Sequence, residues 1–201
     1  MTRAAGYPSD SALKRGEVGA QESSARGEAT VRAFGGKIAI RRARRTDGEA
    51  VAAMAAALSA HEGKPHGPFT AARFRREGFG RNAAFTTLVA RAGRIVGYAL
   101  FYAGYDVDTA SRGVHLVDRF VTASARRSGV GRALVTAVAR ECIETGGAWI
   151  AWFVQRDNRE ARAFYRALGA RPDDDIPLEM RAANFVPPPD RSTKNASPRR
   201  R

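Results

Sequence analysis

One cysteine, three histidines and no long apolar run set the first limits on this 201-residue chain. Cys142 alone cannot close an internal disulfide, and no neighbouring Cys or His joins it in a zinc site. A reducing, cytoplasmic location is expected from that count. No apolar stretch approaches the roughly 18 residues of a membrane span, so no membrane partner is expected. Met1 to Ala20 mixes Arg, Lys, Asp and Glu and holds no apolar block of signal-peptide length. His61-Glu62 does not open an HExxH zinc helix, because Pro65 stands where the second His is needed. No Gly-Lys is followed by Ser or Thr, which excludes a Walker A loop. No metal is expected.

Acid is also scarce, with 20 Asp and Glu against 34 Lys and Arg, a net charge of +14. The excess is spread out. From Asn184 onward there are five basic residues against one acid, and the first 35 residues hold five against four. The remainder carries 24 basic and 15 acidic side chains, mostly single arginines scattered over several segments. No helix-turn-helix, zinc finger or aromatic stacking platform accompanies them, so no specific nucleic-acid partner is expected. A basic surface that attracts a small anionic ligand is the plainer reading.

A hydrophobic content of 44% suffices for one globular core. Residues 1–35 are rich in Gly, Ala, Ser and charge without an apolar period, and an unstructured extension is expected there. Pro187-Pro188-Pro189 closes the folded part, so 36–184 reads as the domain and 185–201 as an unstructured basic tail. Within the domain, Lys37 to Arg42 alternates as a strand. Thr46 or Asp47 can cap a helix over Glu49 to Ser59, and Ala71 to Glu77 suits a short second helix. Thr86 to Arg91 and Ile95 to Tyr102 read as a hairpin about Gly93. A loop then leads to a strand over Gly113 to Thr122. Gly129 to Thr145 reads as a helix with Leu134, Val138 and Cys142 on one stripe. A buried-type strand over Trp149 to Val154, a helix over Arg159 to Leu168 and a last strand over Leu178 to Ala182 complete the order. Helices interleaved with strands in this way place the fold in the α/β or α+β class.

The most informative turn is Arg126-Arg127-Ser128-Gly129-Val130-Gly131, between a strand and a helix. Glycines remove side chains that would hold a phosphate off the backbone. The unused N–H groups and the dipole of a helix's first turn favour an anion, and a pyrophosphate suits that setting. Arg126, Arg127 and Arg132 add attraction. The turn is not a dinucleotide fingerprint, because Leu134 occupies the place of its third glycine. An ordinary strand-to-helix turn remains the alternative on this motif alone.

A second motif follows about 27 residues on, at Asn158-x-x-Ala161-x-x-Phe164-Tyr165-x-x-Leu168-Gly169-Ala170. The two together, after a strand ending Phe120-Val121, resemble the GNAT superfamily of acetyl-CoA-dependent N-acetyltransferases over roughly residues 37–182. Within it, the likeness is to the diamine (spermidine/spermine) branch and its bacterial relatives. It is carried by His61-Glu62, Glu77-Gly78-Phe79-Gly80, Ile95-Val96-Gly97-Tyr98-Ala99, Tyr105-Asp106 and Leu116-x-Asp118-x-Phe120-Val121. The resemblance implies a mixed, mostly antiparallel sheet splayed at a central bulge, with acetyl-CoA as cosubstrate.

It also implies site roles. The backbone of Phe120 and Val121 pairs with the pantetheine arm, and residues 126–132, Val130 and Gly131 included, hold the pyrophosphate. Asn158, Ala161 and Phe164 flank the cofactor, with Asn158 also fit to cap its helix. Tyr165 is the general acid, since a phenol with a pKa near ~10 keeps its proton at neutral pH. Glu62, with His61 beside it, meets the substrate's ammonium. An amine acetyltransferase acting by direct attack in a ternary complex is the expected function, commonly as a homodimer. The acceptor is a small amine (diamine or amino-acid-like) or a protein amine. A non-catalytic acyl-CoA-binding module is the alternative.

The base is where the sequence departs from that branch. Val117 stands where diamine acetyltransferases carry a glutamate, so the role passes to Asp118, to His115 or to ordered water. Strand alternation puts Asp118 on the face opposite Val117.

Overall fold

The computed structural model describes residues 29–33, 36–65 and 67–173. The chain divides into two compact units, Met1–Asp157 and Asn158–Arg201, so the segment 36–184 spans both. The expected last strand over Leu178 to Ala182 lies outside the described residues. No helix among the described residues is long and apolar enough to cross a membrane.

The first unit carries a six-stranded sheet whose spatial order follows the chain: β1 (Ala29–Ala33), β2 (Gly36–Arg42), β3 (Thr86–Ala92), β4 (Arg94–Asp106), β5 (Ser111–Val121) and β6 (Gly147–Ala151). All neighbours are antiparallel except β5 and β6, which run parallel. That parallel pair needs a crossover, supplied by α3 (Val130–Glu144). Helices α1 (Gly48–His61) and α2 (Ala71–Glu77) fill the connection from β2 to β3. The mixed, mostly antiparallel sheet with flanking helices matches the expected class.

β1 corrects the expectation of an unstructured stretch. It lies inside 1–35 and pairs with β2 from Ala29↔Ile40 to Ala33↔Gly36, with two residues between them. The stretch Ala-Thr-Val-Arg-Ala is too short to show a period by itself; the edge of β2 provides the partner that orders it.

Two packed faces hold the sheet. On one, α1 and α2 bring Val51, Met54 and Phe74 against Val89, Tyr98, Leu100 and Phe120. On the other, α3 lays down Leu134 and Val138, both fully buried, with Leu134 meeting Gly97 on β4. Each such aliphatic side chain contributes roughly 1.5–3 kcal/mol on burial. Covering on both sides explains why Thr87 to Ala90 is buried without alternation.

Several local features differ from the sequence reading. Asp47 precedes α1 but makes no side-chain bond to that helix. Its carboxylate accepts from the Arg44 N–H at 2.7 Å and from the Arg41 guanidinium at 2.7 and 3.1 Å. The β4–β5 hairpin is also longer than expected, because Asp106 accepts from the Asp108 and Thr109 N–H groups and closes a tight turn. β6 is shorter than expected and half exposed rather than buried. Trp149 packs inward over the hairpin. Its indole lies where a Cβ on Gly113 would fall, and its N–H donates to the Ser111 carbonyl at 3.4 Å.

In the second unit, α4 (Arg159–Arg166) is capped by Asn158, whose Oδ1 accepts from the Ala161 N–H at 2.9 Å. Gly169 has φ +91 just past its end.

Candidate active site

β5 organises the site through one irregularity. Leu100 on β4 faces Asp118, yet the next β4 residue, Phe101, faces Leu116. Val117 is therefore an extra residue, a β-bulge that interrupts the strict alternation of the strand. Val117 and Asp118 consequently line the same cleft, which corrects the expectation that they point to opposite faces. Pairing of β5 with β6 stops at His115↔Ala151, while β5 continues to Val121. A central bulge and a splayed strand are thus both present.

The cleft has a volume of about 350 Å³. α1 contributes Ala55, Ala56 and Ser59; the connections before and after α2 contribute Phe69, Ala84 and Phe85; β4 and β5 contribute Leu100, Tyr102, Val117 and Asp118. Asp118 is the only ionisable carboxylate among these lining residues. Its Oδ2 accepts from the Tyr98 hydroxyl at 3.0 Å. Burial pushes the Asp118 carboxyl above the usual carboxylate range and the Glu62 charge adds to that, while the Tyr98 bond and Lys64 oppose it. Burial likewise pushes the Tyr98 phenol far up, with the Asp118 charge helping, so its proton stays in place to donate.

Tyr98 is the residue that sequence reasoning missed. It is fully buried and faces Phe120, one step diagonally from Asp118 on the same side of the sheet. A tyrosine two residues out of register with an acid on the neighbouring strand is a usable signal, but only once the register is known. Phe69 and Phe85 lie in irregular segments, where periodicity offers no signal at all.

The other expected acceptor residues divide. Glu62 is the residue after α1 and pairs with Lys64 at 2.6 Å; its charge reaches Asp118. His61 is exposed at the helix end. His115 is held between rings, stacked on Tyr102 at 5.0 Å and edge-on to Trp149 at 5.1 Å.

The glycine turn takes the expected strand-to-helix form. Gly129 has φ +87 and Arg127 has φ +57, both left-handed. For an arginine this conformation costs on the order of 1 kcal/mol. The Ser128 hydroxyl donates to the Ala125 carbonyl at 2.6 Å and braces the turn. The first helical bond of α3 runs from the Ala133 N–H to the Gly129 carbonyl at 2.9 Å. N–H groups of the preceding turn, those of Val130, Gly131 and Arg132, are not used within the helix. Arg126 folds back: its Nε donates to the Val121 carbonyl at 3.2 Å and its guanidinium lies over the Phe120 ring. Arg126, Arg127 and Arg132 are all exposed. Phe120 and Val121 have buried side chains and pair with β4 on one edge, and the Val121 carbonyl already accepts from Arg126.

In the second unit, Ala161, Phe164 and Tyr165 are half-buried, and the Phe164 and Tyr165 rings meet edge-on at 5.1 Å. Among the described residues no cluster of His, Cys, Asp and Glu could hold a metal ion.

The chain is 34% identical to L-ornithine N5-acetyltransferase NATA1 of Arabidopsis thaliana over 77 residues, 38% of this chain and 34% of that protein. It is 32% identical to thialysine N-epsilon-acetyltransferase of Sus scrofa over 106 residues, 48% of this chain and 62% of that one. The chain thus spans between one third and just under two thirds of the length of these curated relatives. A solved structure of a possible acetyltransferase from Clostridium difficile 630 superposes with a TM-score of 0.64 at 16% identity. It covers 72% of this chain and 97% of that one, and so shows the shared fold. The family described as acetyltransferase (GNAT) matches residues 50–170, from α1 through α4. This chain belongs to the GNAT acetyltransferase family.

Proposed function

We propose that this chain moves an acetyl group from acetyl-CoA to a primary amine by direct attack in a ternary complex. The observation that carries the reading is the bulge at Val117. It sets a half-buried carboxylate in an apolar cleft on the same strand that runs into the glycine turn.

The turn fits coenzyme A. Gly129 is exposed and left-handed, Arg127 and Arg132 bring positive charge, and the first turn of α3 offers its N–H groups to the pyrophosphate. The length of β5 near Phe120 and Val121, paired with β4 but beyond the reach of β6, suits the amide-bearing pantetheine arm. When bound, acetyl-CoA supplies an activated acetyl thioester. Asp118, held above its ordinary range yet accepting from Tyr98, takes the proton of the attacking ammonium. Glu62 and His61 stand at the end of α1, where the family likeness puts residues that meet the incoming ammonium. The family likeness assigns Tyr165, on the helix capped by Asn158, as the donor to the leaving sulfur. No cysteine route competes, because Cys142 is buried against the core with its thiol pushed up by burial.

The reading extends to a homodimer in the cytoplasm. Exposed Tyr105 and Val107 at the tip of the β4–β5 hairpin support the dimer. Sedimentation at micromolar concentration should show a species of twice the 21.7 kDa chain.

Incubation with acetyl-CoA and a panel of primary amines tests the enzyme reading. CoA release matched by acetylated product is expected. Tight CoA binding without turnover on any amine overturns it in favour of a non-catalytic acyl-CoA-binding module.

A further inference from the structure

The cleft beside Asp118 has a chemical character that narrows the acceptor, given the acetyl-transfer reading above. We propose that the acceptor is a primary amine on a compact apolar body, with neither a carboxylate nor a second ammonium close to the reacting nitrogen.

Among the described lining residues Asp118 is the one carboxylate, and nearby Glu62 is already paired with Lys64. Asp118 can receive one ammonium, and no lysine or arginine is among the lining residues. The Ser59 hydroxyl is committed to the Ala55 carbonyl at 3.2 Å. Lys64, the cation whose charge reaches Asp118, is bound to Glu62 at 2.6 Å. A carboxylate on the substrate would therefore enter without a cationic partner and beside a like charge. A second ammonium would meet an apolar wall, with the nearby Glu62 already held by Lys64. Both are penalised by desolvation, and a protein at +14 adds long-range repulsion for polycations.

The walls favour an apolar body. Phe69 and Phe85 stand 5.9 Å apart with their rings tilted at 55°, and Phe69 meets Phe74 of the core edge-on. These rings are held by packing rather than left to move with solvent. Tyr102 is fixed by its stack on His115. Val117, half-exposed at the bulge, presents methyl groups next to the Asp118 carboxylate. An aryl or alkyl body resting on Phe69, Phe85 and Val117 leaves its amine directed at Asp118. Sites of this kind discriminate weakly between one methylene more or less, and strongly against a buried polar group without a partner.

The test uses the full chain, acetyl-CoA and four amines: phenethylamine, butylamine, putrescine and ornithine. Acetylated product is measured by mass spectrometry and kcat/KM is compared. Phenethylamine and butylamine should exceed putrescine and ornithine by at least about tenfold. Equal or higher kcat/KM for putrescine or ornithine overturns the apolar-acceptor proposal and leaves acetyl transfer standing. Absence of turnover on all four and on a broad amine panel, with CoA still bound, overturns the acetyl-transfer reading and this proposal with it. Val117→Glu gives a second readout, since the position is open to solvent and tolerates a longer side chain. With CoA affinity unchanged as the check on folding, the putrescine-to-butylamine ratio should rise about tenfold. An unchanged ratio removes Val117 from the specificity argument and overturns the proposal in this form.

Discussion

The glycine turn and the cleft beside Asp118 follow one another along β5 and its exit, yet they are built by different means. The turn works through backbone: a left-handed Gly129, a strained Arg127 and the N–H groups that α3 cannot use itself. The cleft works through side chains that converge from α1, two irregular connections and two strands, brought into line by a single inserted residue. A backbone site is written in consecutive letters and tolerates change in its surroundings. A side-chain site depends on register, and a one-residue difference in pairing re-aims everything beyond it.

The sharpest way to break the comparison is to attack the turn through its backbone. Gly129→Glu forces a Cβ-bearing residue into φ +87 and adds a negative charge beside the proposed phosphate position. CoA affinity by isothermal titration calorimetry should fall at least ~100-fold, equivalent to about 2.7 kcal/mol. Wild-type affinity in a folded variant would remove the cofactor from the turn altogether.

The cleft should respond in the opposite sense. Asp118→Asn keeps the shape and an acceptor for Tyr98 but removes the base, so kcat/KM should drop about 100-fold with CoA affinity unchanged. Stability carries the complementary sign. The folded Asp118 pKa is raised, so the native protein gains least from this group once it is ionised. The penalty is absent below the ordinary carboxylate range and complete above the raised value. The melting temperature of Asp118→Asn should therefore match or exceed wild type by a few degrees at neutral pH, with the gap closing in acid. A variant both inactive and less stable at neutral pH than in acid, relative to wild type, contradicts that account.

Legibility in the sequence follows the same division. The helical stripe of Leu134, Val138 and Cys142, the Gly93 hairpin and the Asn158 cap could be read directly, because each rests on a period or a local hydrogen bond. The relation of Val117 to Asp118 could not. Alternation is a local rule, and the bulge that breaks it is imposed by pairing with β4, twenty residues upstream for Tyr98. β1 escaped for a similar reason, since five unremarkable residues become a strand only beside β2. Thr46 and Asp47 looked like caps, yet a basic neighbour at Arg41 captured the Asp47 carboxylate first.

A subtler change separates the base from its support. Tyr98→Phe deletes one hydroxyl from a fully buried ring and removes the bond that opposes the rise of the Asp118 pKa. The acid limb of the kcat/KM profile should move to higher pH, while the alkaline plateau changes by less than about threefold. Loss of the hydrogen bond should lower stability by about 1 kcal/mol in urea titration. An unmoved acid limb would mean that Tyr98 supports the fold and not the carboxylate.

Glu62→Gln should give the smallest effect, and its sign is the useful part. The Glu62 charge raises the Asp118 pKa, whereas the Lys64 charge lowers it, and the two are paired. Removing the Glu62 charge deletes the first influence and releases the second, so both changes move the acid limb to lower pH. Glu62 is partly solvated, so the shift should stay small, with kcat/KM at neutral pH altered less than about twofold, and 1 M salt should erase it. Tyr98→Phe and Glu62→Gln thus bracket wild type from opposite sides on one titration. Only a carboxylate whose ionisation is set by the cleft around it can be moved both ways; a limb that belongs to the amine or to the turn would follow neither substitution.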